Sequence, residues 1–136
     1  GSLPSPRLPP RRWKLFNNLG LARPHPFRTN SVFSYPEVVT AMLARPPVDY
    51  PRFPCVVPSW DNTARRRNGG AIILHGSTPE AYGRWLRSVL SDRPTLNRLP
   101  EPIVFINAWN EWAEGNHLEP DLRLGHRYLE ETAKAL

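Results

Sequence analysis

Glu111 and Glu114 stand three residues apart in the stretch Asn107-Ala108-Trp109-Asn110-Glu111-Trp112-Ala113-Glu114-Gly115, and their type and spacing suit chemistry. On a helical turn, side chains three apart share a face, with Cβ atoms about 5–6 Å apart. Two carboxylates that close cannot both ionise freely, so one is expected to keep its proton as an acid beside a base. Glycosidic-bond chemistry requires such a pair, and a separation of about 5–5.5 Å is the retaining geometry. Trp109 and Trp112 offer flat apolar faces that pack against sugar rings, while Asn107, Asn110, His117 and Glu119 offer donors and acceptors for hydroxyls. The competing reading makes both glutamates solvated loop residues and both tryptophans core, since exposed glutamates are ordinary.

A strand must deliver this cluster. Ile103 to Ile106 is an unbroken β-branched and aromatic run, expected to be a strand buried on both faces. Pro54-Cys55-Val56-Val57-Pro58 and Ala71-Ile72-Ile73-Leu74 follow the same grammar, ending in Ser59-Trp60-Asp61-Asn62 and His75-Gly76-Ser77. Three strands in a row thus carry polar residues at their C-terminal ends, as a parallel βα array does at its catalytic face. Trp60, Asp61, Asn62 and His75 therefore join the candidate substrate contacts. Asp61 and Asn62 equally suit an Asx turn, and His75 a hydrogen-bonded structural role.

Helices must separate these strands. Ser34-Tyr35-Pro36-Glu37 and Ser77-Thr78-Pro79-Glu80 share the pattern Ser-x-Pro-Glu, in which Ser caps, Pro suits the first turn and Glu favours the positive helix end. The first predicts a helix to about Ala44 with Val38, Val39, Met42 and Leu43 buried, stopping before Pro46-Pro47. The second predicts a buried stripe of Tyr82, Trp85, Leu86, Val89 and Leu90, which is core rather than a binding box. Pro120-Asp121 is expected to open a last helix with Leu122, Gly125, Tyr128, Leu129, Thr132 and Leu136 along one side, Gly125 allowing close packing. His117, Glu119 and Asp121 alternate, as metal ligands on an extended segment would, but Pro120-Asp121 already serves as a helix start.

Composition narrows the function. The net charge is +6, yet residues 1–100 hold 15 Lys or Arg against 5 acids and residues 101–136 hold 3 against 7. The candidate site thus lies in the acidic part, which argues against nucleic acid as partner. Arginines outnumber lysines 16 to 2, a composition bias in which only Arg65-Arg66-Arg67 clusters tightly. That cluster suits either a donor phosphate or a solvated loop. One cysteine, Cys55, excludes a disulfide framework and a thiolate metal site. No stretch reaches the roughly 18 apolar residues of a membrane span, and no signal peptide opens the sequence, so a cytoplasmic location is expected. Residues 1–30 are rich in proline and arginine with little apolar periodicity and are expected to be irregular, apart from an anchoring patch at Trp13, Leu15 and Phe16.

The run from Phe105 to Gly115, then His117-Leu118-Glu119-Pro120-Asp121, Gly125 and Tyr128-Leu129, resembles the C-terminal signature of the WbsX family. Trp60-Asp61-Asn62-Thr63-Ala64-Arg65-Arg66 and His75-Gly76-Ser77-Thr78-Pro79-Glu80 look like two further blocks of it. Three ordered blocks over residues 31–136 are more specific than one motif. The resemblance implies a glycosyltransferase of lipopolysaccharide or surface-polysaccharide synthesis, related to glycoside hydrolase family 99, with neither cofactor nor metal. It also implies a (β/α)8 barrel, which takes at least about 200 residues. At 136 residues, this chain is therefore expected to be the C-terminal part of an α/β, TIM-type barrel whose remaining strands are its partner. The hydrolase motif is Asn-Glu-Trp-His-Glu-Gly. Glu114 aligns there with the general acid/base and Glu111 with the carboxylate that assists the sugar 2-hydroxyl through a 1,2-anhydro intermediate. Ala113 replaces the histidine, a departure at a potential substrate contact. The expected substrate is a carbohydrate or sugar nucleotide. Endo-acting retaining hydrolysis, a non-catalytic glycan-binding remnant and an arginine-based nucleic-acid module are the other readings.

Overall fold

The computed structural model describes residues 29–66, 69–96 and 98–136; the expectations for the N-terminal segment, with Trp13, Leu15 and Phe16, lie outside them. The elements in order are β1 (Ser31–Ser34), α1 (Tyr35–Leu43), β2 (Cys55–Val56), a 3₁₀ turn (Thr63–Arg65), β3 (Ile72–His75), α2 (Pro79–Ser91), α3 (Arg93–Leu96), β4 (Phe105–Ile106), β5 (Asn110–Glu111), a second 3₁₀ turn (Trp112–Glu114), β6 (Asn116–His117) and α4 (Arg127–Ala135).

Both Ser-x-Pro-Glu segments open helices. At α2 the capping oxygen belongs to Thr78, which accepts the Ala81 N–H at 3.2 Å, because this helix begins at Pro79 itself, whereas α1 begins one residue before its proline. Ser34 occupies the cap position of α1 without a side-chain cap bond. The predicted stripe of α2 is core: Tyr82, Trp85, Leu86 and Val89 are buried, joined by Tyr35, Val56, Leu118 and Tyr128. Tyr82 meets Tyr128 edge-on at 5.6 Å, and its hydroxyl bonds that of Thr132 at 2.9 Å, docking α4 on α2. Tyr35 meets Trp85 edge-on at 6.0 Å, docking α1 on the other side.

Two of the strand pairs are parallel, but they do not share a sheet. β1 pairs with β3, Ser31 opposite Ile72 through Ser34 opposite His75, and β2 pairs with β4, Cys55 opposite Phe105 and Val56 opposite Ile106. After β2 the chain crosses to the other edge of β3, where Asp61 bridges Ile73 antiparallel. β4 is shorter than predicted and is not buried on both faces: Phe105 is 54% exposed, since β2 is its only strand partner among the described residues. The predicted last helix is also cut. Residues 121–125 form a turn in which Asp121 Oδ1 accepts the N–H groups of Arg123 and Leu124, and α4 starts only at Arg127. Leu122 consequently points to solvent, and Leu136, beyond the end of α4, is exposed as well. Gly125 serves a left-handed φ of 57° and has nothing within 4 Å of a Cβ position, so close packing is not its role. The close-packed glycine is Gly83 in α2, where a Cβ would lie 3.0 Å from that of Glu131.

Candidate active site

The two glutamates sit on a tight hairpin rather than a helix. β5 pairs antiparallel with β6, Asn110 opposite His117 and Glu111 opposite Asn116, and the 3₁₀ turn between them ends at Gly115 with φ 54°. Residues three apart eclipse in 3₁₀ geometry, so Glu111, which enters the turn, and Glu114, which closes it, still share a side. A cation lies between them. Arg65 Nη2 donates to Glu111 Oε1 at 2.8 Å and Nη1 donates to Glu114 Oε1 at 3.2 Å. The mutual repulsion expected of an isolated pair is thus offset by a guanidinium from the Arg65-Arg66-Arg67 cluster, which serves the carboxylates here.

Backbone contacts fix the hairpin against the segment after β2. Asp61 N–H donates to Glu114 O at 2.8 Å, and Ser59 Oγ donates to Gly115 O. A Cβ on Gly115 would come within 3.2–3.3 Å of Asp61 backbone and side-chain atoms. Asp61 forms the Asx turn, its Oδ1 accepting from Thr63 N at 3.0 Å and Thr63 Oγ1 at 2.7 Å. Asn62 is buried, and its Oδ1 accepts the Ile72 N–H at 2.8 Å, joining the loop to β3. Oδ1 of each residue is therefore engaged in the scaffold that carries Arg65.

The tryptophans differ. Trp112 stacks on His117 with centroids 3.8 Å apart and planes 21° apart, and its Nε1 donates to Glu119 Oε2 at 2.7 Å. His117 Nε2 meets Asp121 Oδ2 at 3.0 Å, while its Nδ1 is buried with no protein partner among the described residues. Burial pushes the Asp121 carboxyl up, but the Leu124 N–H, His117 and the Arg123 N–H outweigh it and hold the group below the usual aspartate value. With Glu119 turned to Trp112 and Asp121 to His117, the alternating acids do not converge. Trp109 and Trp112 are each about half exposed. Asn107 and Asn110 are exposed at the site margin, the Asn107 N–H donating to Val56 O at 2.9 Å.

The C-terminal ends of β2 and β3 open onto a cavity of about 670 Å³. Trp60, Asp61, His75 and His117, all predicted contacts, line it, with Ser77, Asp121 and Tyr128 added by the fold. Gly115, which follows Glu114 in the chain, and Asp61, whose N–H donates to the Glu114 carbonyl, form part of its wall, whereas the Glu111 and Glu114 side chains lie beyond it. A smaller cavity of about 270 Å³ lies between residues 45–52 and 92–99, away from the polar strand ends. The signals for Ser77 and Tyr128 were present in the polar strand end and in the amphipathic last helix; the signal for Arg65 was the arginine cluster.

A family model described as Glycosyltransferase WbsX matches residues 10–132. The chain belongs to the WbsX glycosyltransferase family. Within it, the chain is 47% identical over 112 residues to the uncharacterized protein WxcX of Xanthomonas campestris pv. campestris strain B100, and 46% identical to WxcX of another strain of that pathovar. Each alignment covers 82% of this chain and 16% of the relative's length. No solved structure matches the chain. Among the described residues, no helix is long and apolar enough to cross a membrane.

Proposed function

We propose that this WbsX-family chain carries the paired-carboxylate site of a sugar-transferring enzyme of bacterial surface-polysaccharide synthesis. The observation that carries the reading is the hairpin that sets Glu111 and Glu114 on one side, within reach of one guanidinium, beside a polar cavity at the strand ends. In the proposed reaction Glu114 accepts the proton of the acceptor hydroxyl while the hydroxyl oxygen bonds the anomeric carbon. The donor's leaving oxygen departs with the bonding pair. Glu111 faces the positive charge that builds on the sugar ring, and preorganised charge of this kind is the largest common contribution to such catalysis. Trp109, Trp112 and the cavity residues Trp60, His75 and His117 hold the sugars. The parallel pairs β1–β3 and β2–β4 support placing this chain in the C-terminal part of a (β/α)8 barrel, with other strands of the longer protein completing the wall. A sugar-nucleotide donor implies a cytoplasmic site.

The test is nucleotide release by the full-length protein from UDP-glucose, UDP-galactose and GDP-mannose, with and without cell-surface polysaccharide as acceptor. Acceptor-dependent release with a lengthened glycan supports transfer. Cleavage of the polysaccharide without any donor would replace transfer by retaining hydrolysis at the same carboxylates. Glycan binding without turnover of either kind would make the chain a binding unit.

A further inference from the structure

The two carboxylates are brought together by a residue outside their motif. Arg65 is 46 and 49 residues away from Glu111 and Glu114 in sequence, yet its two terminal nitrogens divide between them, one to each. The fork is held from both sides. Its own 3₁₀ turn is fixed by the Asp61 and Asn62 side chains, and the Asp61 N–H is bonded to the Glu114 carbonyl. A planar guanidinium presents donors at fixed angles, so it sets the direction of each carboxylate as well as supplying charge. Arg65 is 51% exposed and Glu111 39%, so that pair adds little to folding stability, and the pair with the less exposed Glu114 is open to solvent on its Arg65 side. A contact that contributes little to folding but joins two candidate catalytic groups from distant segments is built for the site.

We infer that Arg65 is the positioning residue of the paired-carboxylate site: it fixes the separation and direction of Glu111 and Glu114, and substrate finds them already aligned. This rests on the sugar-transfer reading above. Misplacing a reacting group by about 1 Å costs on the order of 100-fold in rate. The experiment measures nucleotide release from the same three sugar nucleotides by full-length protein carrying Arg65→Lys, Arg65→Ala, Glu111→Gln or Glu114→Gln. Arg65→Lys keeps the charge and stem and loses the fork. It should lower kcat on the order of 100-fold with KM nearly unchanged and an unaltered melting temperature. Arg65→Ala should lose more, and added guanidinium, but not equal sodium chloride, should restore part of it. Native kcat in Arg65→Lys, or an Arg65→Ala loss that guanidinium does not repair, overturns the inference. Should Arg65→Ala fail to fold, Arg65→Lys decides alone. Native turnover in both glutamine variants removes the carboxylate reading itself, whereas inactive glutamine variants beside a native Arg65→Lys remove only the role of Arg65.

Discussion

Tyr35→Phe removes one oxygen atom and should cost about 1–2 kcal/mol. Tyr35 is fully buried at the start of α1, and its hydroxyl donates to Val57 O at 2.6 Å. Burial first, then Tyr128 and Tyr82, raises the phenol far above its ordinary value, so the group is a donor throughout the accessible pH range. Phenylalanine keeps the ring and its edge contact with Trp85. Lost are one neutral hydrogen bond, about 0.5–1.5 kcal/mol net, and the partner of the Val57 carbonyl, whose orphaning costs about 1–3 kcal/mol when buried. Val57 is only partly buried, so water relieves part of the second cost and the total stays near the lower end. For a chain of this size the loss corresponds to about 4–8 °C in Tm, or a shift of about 0.5–1 M in the urea midpoint at an unchanged m-value. Urea unfolding followed by tryptophan fluorescence reads it, with Tyr50→Phe as control, since Tyr50 is 60% exposed and should change stability by less than about 0.5 kcal/mol. The position matters for the site because Val57 lies two residues before Ser59, where the chain leaves β2 for the cavity. A Tyr35→Phe loss no larger than that of Tyr50→Phe would refute the reasoning.

Gly115→Ala should cost at least about 1–2 kcal/mol, since a side chain is disfavoured at φ 54° and the new Cβ would press on Asp61, and turnover should fall with it; a native Tm would contradict this. Thr78→Ala should lose about 1 kcal/mol by removing the cap of α2, with Thr78→Ser recovering most of it in the same melt. The lowered pKa of Asp121 contributes stability that is full above the unfolded aspartate value of about 3.9 and is lost as pH falls through the lower folded value. Stability measured from pH 6 downward should therefore decline less steeply in Asp121→Asn than in the native chain, and parallel profiles would exclude the contribution.

The parts of the fold that depend on local pattern were legible in the sequence. The i, i+3, i+4 stripe of α2 and the proline-led helix starts needed only neighbouring residues, and the structure buries Tyr82, Trp85 and Leu86 accordingly. The β5–β6 hairpin was not legible, because Asn110, Glu111, Asn116 and His117 carry no strand propensity and pair only through the turn that Gly115 permits. β1 carries no such signal, because two apolar residues between serines give no period to count. The last helix was overextended because an aspartate after a proline signals a helix start and an Asx turn alike, and Gly125 decides for the turn. At the site, the residue types of Glu111 and Glu114 were visible, while Arg65 required the crossing that joins residues 59–66 to β3 and to the hairpin. Long-range contacts of this sort leave no mark on sequence spacing.

The most direct measurement is kcat for full-length Glu114→Gln and Glu111→Gln against native protein in the sugar-nucleotide assay, each with its melting temperature. Removing an acid–base group typically costs about 10²–10⁴-fold, and a neutral isostere of the same shape at these partly exposed positions leaves the fold intact. Both variants should therefore melt like the native protein and lose at least about 100-fold in kcat. Native turnover by either variant would show that its carboxylate takes no part in the chemistry and would contradict the account.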